Sequence, residues 1–266
     1  MATAAAALAA WLTGRRQPPP PKVPRRFAFR HAWDRIAFPA FVGLIWIVIL
    51  MGFVPEVIDQ LRKHEFDYPI VTHIHALTFT AWLILLTIQT VLIRSGKVRL
   101  HRQLGIAGAC LVPMMVVLGV TVSIVMFRRE YSPEFLPLTL SLRIADMLSF
   151  GPVATAGLAL RKQDPSAHKR LILLASFCLA AAGFGRWWGD ALLGYFGHGF
   201  LGRWSFDYLG VLMLIVALGS YDLITRHRLN KAFAWASAGI VSAQFLAVFV
   251  RDSAWWKPLS MKLIGH

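Results

Sequence analysis

His73 and His75 stand two residues apart near the start of a long uncharged run. On a helix a two-residue step rotates the side chain by about 200°. The pair therefore lacks the shared face that the two histidines of a zinc-protease HExxH element have. One of them can face protein while the other meets headgroups, and His75 is the better candidate for the interior. Arg143 and Asp146, three residues apart in a later run, share a face if that run is helical. Ionised groups at membrane depth face protein or a wet cavity rather than acyl chains. Alternation of the spans places all four residues at a similar outer depth. The cluster His73, His75, Arg143 and Asp146 then fits three chemistries: a proton path, an anion or quinone-headgroup site with Arg143 as donor, or a metal held by histidine and Asp146. The guanidinium competes with a metal for the same carboxylate, and a plain structural ion pair is the alternative to all three.

His101 and His168 form an inner set with Asp222. The two histidines open separate apolar runs in the strings HRQLG and HKRLI. A helix start at the membrane surface is where a headgroup phosphate meets free backbone N–H groups together with Arg102, Lys169 or Arg170. The sharper alternative is axial ligation of a b-type haem by His101 and His168 at matched depth. Asp222 lies on the same side, beside Tyr221, and either orients a histidine or pairs with Arg226 four residues on. Cys110 and Cys178 fall in apolar runs and are expected to be buried small hydrophobes. The chain has no serine–histidine–acid triad, phosphate-binding glycine loop, kinase signature or CxxC pair. No catalytic residue or definite metal ligand follows from its motifs.

These side chains need rigid carriers, and the composition says what the carriers are. Of 266 residues, 57% are hydrophobic and 15% charged, with a mean hydropathy of +0.57. That balance excludes disorder and disfavours a water-soluble globule. Seven segments approach membrane length: 36–55, 71–93, 103–127, 136–160, 171–185, 208–224 and 232–250. About 20 residues at roughly 1.5 Å each cross the ~30 Å hydrocarbon layer. The expected fold is an all-α polytopic transmembrane helical bundle of about seven spans. A basic, proline-rich tail (1–35) precedes the spanning domain (36–251), and a short tail (252–266) follows. The stretch 186–207, rich in glycine and aromatics, is expected to be a re-entrant or interfacial hairpin. Two small-xxx-small pairs, Gly105 with Ala109 and Gly119 with Ser123, suggest close helix packing.

The net charge of +15 does not call for nucleic acid, because its distribution is topogenic. Alternating spans put about twice as many lysines and arginines on the N-terminal side as on the other, which predicts a cytoplasmic N-terminus and an extracytoplasmic C-terminus. Trp187, Trp188, Trp204, Trp255 and Trp256 then mark the outer interface. The prolines at 18–21 and Pro24 cannot sustain a helix. The basic tail is expected to meet membrane lipids rather than a specific nucleic acid.

Taken together, the strings HIHALTFTAWLILLTIQ from His73, RLHRQLGIAG from Arg99, AHKRLILLA from Ala167 and YDLITR from Tyr221 resemble an uncharacterised family of bacterial multi-span inner-membrane proteins over residues 37–250. That resemblance implies the bacterial inner membrane and the topology rather than an activity. Spans two and three are more loosely similar to di-haem transmembrane cytochromes related to ascorbate-dependent reductases, with His75 and His101 in comparable positions. The departure is that spans four and six carry no histidine to partner His75. The functional expectation is a redox-associated membrane protein, or one binding a small hydrophobic ligand such as a quinone, or haem. The competing classes are a proton-linked transporter or channel and a noncatalytic assembly subunit with protein partners.

Overall fold

The computed structural model describes residues 27–28, 30–63, 67–131 and 137–266. The proline-rich stretch at 18–24 lies outside them. Among the described residues the fold is all-α, with seven long helices and one short one. They are α1 (Asp34–Lys63), α2 (Ile70–Arg94), α3 (Val98–Arg129), α4 (Leu140–Leu160), α5 (Pro165–Phe196), α6 (Phe200–Arg226), α7 (Lys231–Asp252) and α8 (Trp256–Ile264). A single 3-10 turn, Pro137–Thr139, leads into α4. Six of the long helices are long and apolar enough to cross a membrane. The seventh, α4, has 21 residues and carries Arg143 and Asp146 in its first half. This is a polytopic helical membrane protein.

Local chemistry sets the boundaries. Asp34 opens α1 and Arg62 with Lys63 close it, each sign at the end of the helix dipole that favours it. Gly96, at φ 72°, makes the left-handed turn that reverses the chain from α2 into α3, where a Cβ would be strained. Pro165 occupies the first turn of α5, where its missing N–H costs nothing. The Asp164 carboxylate accepts from the N–H groups of Ser166 (3.0 Å) and Ala167 (2.9 Å). Asp164→Ala is expected to lower stability by about 1 kcal/mol, measured by denaturant unfolding in detergent. Asp164→Asn, which keeps the acceptor, should recover most of that loss.

Helix α5 is the central rod. Its apolar window is 72% buried, against 22–39% for the other five apolar helices, and it packs on α1, α4, α6 and α7. Small residues allow this: Ala180, Ala181 and Gly183 are buried along it. Phe177 lies 5.8 Å from Phe41 of α1, and Ser176 accepts a hydrogen bond from the Trp82 indole of α2 at 3.1 Å. Helices α1, α2 and α3 instead leave Leu44, Ile47, Ile84, Ile88, Ile106 and Val117 exposed, the surface that acyl chains cover in a spanning bundle.

Four expectations change in three dimensions. The segment 186–207 is not a re-entrant hairpin: α5 and α6 are continuous helices, leaving only 197–199 between them. Its charges broke the hydropathy signal without breaking the helices. Trp204 and Trp256 are core residues at 4% and 6% exposure, whereas Trp187 and Trp255 are exposed. Trp204 stacks on Phe245, and the Trp256 indole donates to the Leu138 carbonyl at 2.9 Å, pinning α8 against the turn before α4. Cys178 is buried, but Cys110 is exposed. Of the small-residue pairs, Gly119 packs on the Met147 side chain of α4, while Gly105 faces open space.

Candidate functional site

Ion pairs show which helix ends share a side. Asp34 at the start of α1 meets Lys169 at the start of α5 and Arg226 at the end of α6. At the opposite end Glu56 of α1 meets Arg186 of α5, and Arg203 of α6 meets Asp252 of α7. Two separate polar sites follow, one at each end.

At the Arg186 end, Arg143 does pair with Asp146, at 3.3 Å, but its closer partner is Asp207 of α6 at 2.5 Å. The Asp146 and Asp207 side chains are 9% and 8% exposed, against 27% for Arg143. A cleft of about 220 Å³ opens beside them, lined by Arg143, Ala182, Gly185, Arg186, Asp190, Phe206 and Asp207. Tyr208, fully buried, lies next to Asp146. The sequence offers Asp207 a local partner in Arg203, four residues before it, but Arg203 pairs with Asp252 and Asp207 with Arg143, 64 residues away.

Among the described residues, no hydrogen bond or ion pair joins His75 to this cluster. His75 is half-buried, its ring 4.0 Å from that of Phe79, with a buried Nδ1 that has no hydrogen-bond partner. The charge of Arg186 reaches it. His73 is exposed. No group of three or more histidine, cysteine, aspartate or glutamate side chains placed to hold a metal occurs among the described residues.

At the other end, His101 and His168 each occupy the fourth position of their helix, α3 and α5. Their ring centroids are 6.4 Å apart and their planes cross at 78°. His168 Nδ1 lies 2.8 Å from the Gly157 carbonyl of α4. A carbonyl can only accept, so Nδ1 carries the proton and Nε2 is left with its lone pair. His101 Nδ1 and Gln89 Oε1 are both buried without a partner, and the Gln89 backbone stands beside the His101 ring.

Asp222 does not orient either histidine. Its two oxygens receive Nε and Nη2 of Arg170, at 2.6 and 2.5 Å, and both side chains are fully buried. The expected partner Arg226 is 3.6 Å away and is held mainly by Asp34, which accepts two bonds of 2.8 Å from it. Lys169 also binds Asp34, at 2.7 Å. Arg170 is therefore unavailable to a lipid headgroup. Asp34 is the only acidic residue before Glu56, and its partners Lys169 and Arg226 lie 135 and 192 residues away, so only packing brings them together.

Comparison with protein-family models, with curated proteins and with solved structures gives no match for this chain. The functional reading therefore rests on the geometry of these two sites.

Proposed function

We propose that His101 and His168 are the axial ligands of a b-type haem, making this a redox-associated membrane protein. The observation that carries the reading is the imidazole pair. Two rings ligating one metal from opposite sides, each nitrogen about 2 Å from it, have centroids about 6 Å apart, close to the 6.4 Å found here. The bond from His168 Nδ1 to Gly157 fixes the tautomer that frees Nε2, the usual second partner of a ligating histidine. The buried polar atoms of His101 and Gln89 without a hydrogen-bond partner leave capacity at this place for a bound group.

The surroundings fit a flat, anionic group. Helices α3 and α5 carry the two rings without packing extensively on each other. A Cβ at Gly105, one turn beyond His101, would meet nothing within 4 Å. Arg102 and Arg161 place positive charge next to the rings, where haem propionates would be neutralised. The competing role, phosphate binding at the start of α5, is disfavoured because the Asp164 carboxylate already occupies the free N–H groups there. A haem held at this site supplies one-electron transfer near one membrane face. The chain's part is to hold both rings, fix the His168 proton and place arginines at the rim.

Expression with haem supply and purification in mild detergent should give a protein whose visible absorption changes on reduction by dithionite. His101→Ala and His168→Ala should each remove that change, while His73→Ala leaves it intact. A colourless wild-type protein, or a spectrum that survives both inner substitutions, rejects the assignment.

A further inference from the structure

We propose that Asp146 and Asp207 hold one exchangeable proton, bound on Asp146 and passed to and from water through the cleft beside Asp207. Taken by itself, the buried triad of Arg143, Asp146 and Asp207 is one positive charge short. One guanidinium, Arg143, bridges two carboxylates that are each less than a tenth exposed. If both are ionised, the triad keeps a net negative charge at membrane depth, which is costly without compensation.

The charged neighbours are paired elsewhere or screened by water. From α5, Arg186 is already paired with Glu56 at 2.7 Å and stacked over Phe53, Asp190 adds negative charge at the cleft, and Cys178 is buried nearby. From α7, Arg251 shares the single carboxylate Asp252 with Arg203 of α6, and the surplus positive charge of that group acts on Asp207 from side chains that are 21–34% exposed, where water screens it. From α6 itself, Tyr208 is uncharged beside Asp146. A metal ion is disfavoured as the missing cation, since the guanidinium already takes both carboxylates and no third ligand joins them among the described residues. A proton needs no further ligand.

Geometry divides the labour between the two acids. Asp207 lines the cleft and Asp146 does not. Asp207 also makes the shorter bond to Arg143, 2.5 against 3.3 Å, so it is the better stabilised anion and Asp146 is the better proton holder. Asp190, exposed at the cleft, meets bulk water first. The step is a bare proton transfer: the Asp146 O–H bond breaks, the proton passes by way of the Asp207 carboxylate to a cleft water, and no oxidant or reductant is consumed. This site stands apart from the imidazole pair and does not depend on it.

Infrared spectroscopy of the full chain in detergent, titrated in H2O and in D2O, tests the idea. The wild type should show a protonated-carboxyl band at neutral pH that shifts in D2O and disappears at alkaline pH. Asp146→Asn and Asp207→Asn should each reduce it to background, because either leaves one carboxylate balanced by Arg143. Arg143→Gln should roughly double it, since two carboxylates then lack a cation. Asp59→Asn, at an exposed pair with Lys63 that does not line the cleft, should retain it. A wild type with no such band, or a band that survives both Asp146→Asn and Asp207→Asn, overturns the proposal. The wild-type measurement decides even where a variant does not fold.

Discussion

Asp222→Ala is expected to destabilise the folded protein by about 3–5 kcal/mol, the largest loss any single side chain here should produce. Arg170 is completely buried and gives Nε and Nη2 to Asp222, while its Nη1 reaches the carbonyl and hydroxyl of Ser166. Phe27 and Phe38 cover the guanidinium at 4.7 and 5.8 Å. Arginine stays charged under any working condition. Removal of Asp222 therefore strands a cation in a site closed by aromatic rings, with no proton to lose. The comparison that isolates this cause is the double variant Arg170→Met with Asp222→Leu. It removes both charges, keeps the volume roughly constant, and should cost far less than Asp222→Ala alone. Reversible unfolding in mixed micelles reads both values. A loss below about 1 kcal/mol for Asp222→Ala would show that the pair behaves like a solvated surface bridge.

This pair also shows what one dimension reveals and what it hides. The uncharged runs were legible because lipid imposes a condition on every residue of a spanning helix, so α1, α2, α3 and α7 stand out by length and composition alone. Helices α5 and α6 were legible only in part. Arg186, Asp190, Arg203 and Asp207 interrupt their hydropathy, yet Arg186, Arg203 and Asp207 pair with partners on other helices and Asp190 opens on the cleft. A window average cannot separate a loop from a helix whose charges are paired across the bundle. The same limit applies to the sites. Arg143 with Asp146 and Asp222 with Arg226 could be found because helical spacing makes each pair local. Asp207 and Arg170, the nearer partners, lie 64 and 52 residues away in sequence, and only packing around α5 brings them in. His101 and His168 were recognisable as equivalents from their similar strings. Their separation depends on how α4 spaces α3 from α5, which no local pattern encodes.

The second large effect follows from α5 being the shared carrier of both sites. At its crossing with α1 the backbones themselves touch: a Cβ at Gly183 would lie 2.8 Å from the Val48 carbonyl oxygen and 3.0 Å from Val48 Cγ1, and one at Gly52 would run into the Gly183 backbone. The nearest obstacle in each case is backbone, so the helices must separate to admit a larger residue. Gly183→Val should therefore cost about 3 kcal/mol, at the upper end of ordinary overpacking. Gly43→Ala, with nothing within 4 Å of the added carbon, should leave stability unchanged or raise it by up to about 1 kcal/mol through helix propensity. The opposite signs of two small changes on one helix pair would identify backbone contact, rather than loss of glycine flexibility, as the cause. Displacing α5 at Gly183 also moves Arg186 and Gly185 at the cleft and, at the other end of the same rod, His168. Gly183→Val protein that still folds should consequently show a weakened response at both sites together. An effect confined to stability, with the absorption change at the imidazole pair and the carboxyl band at the cleft both intact, would mean that α5 does not couple them.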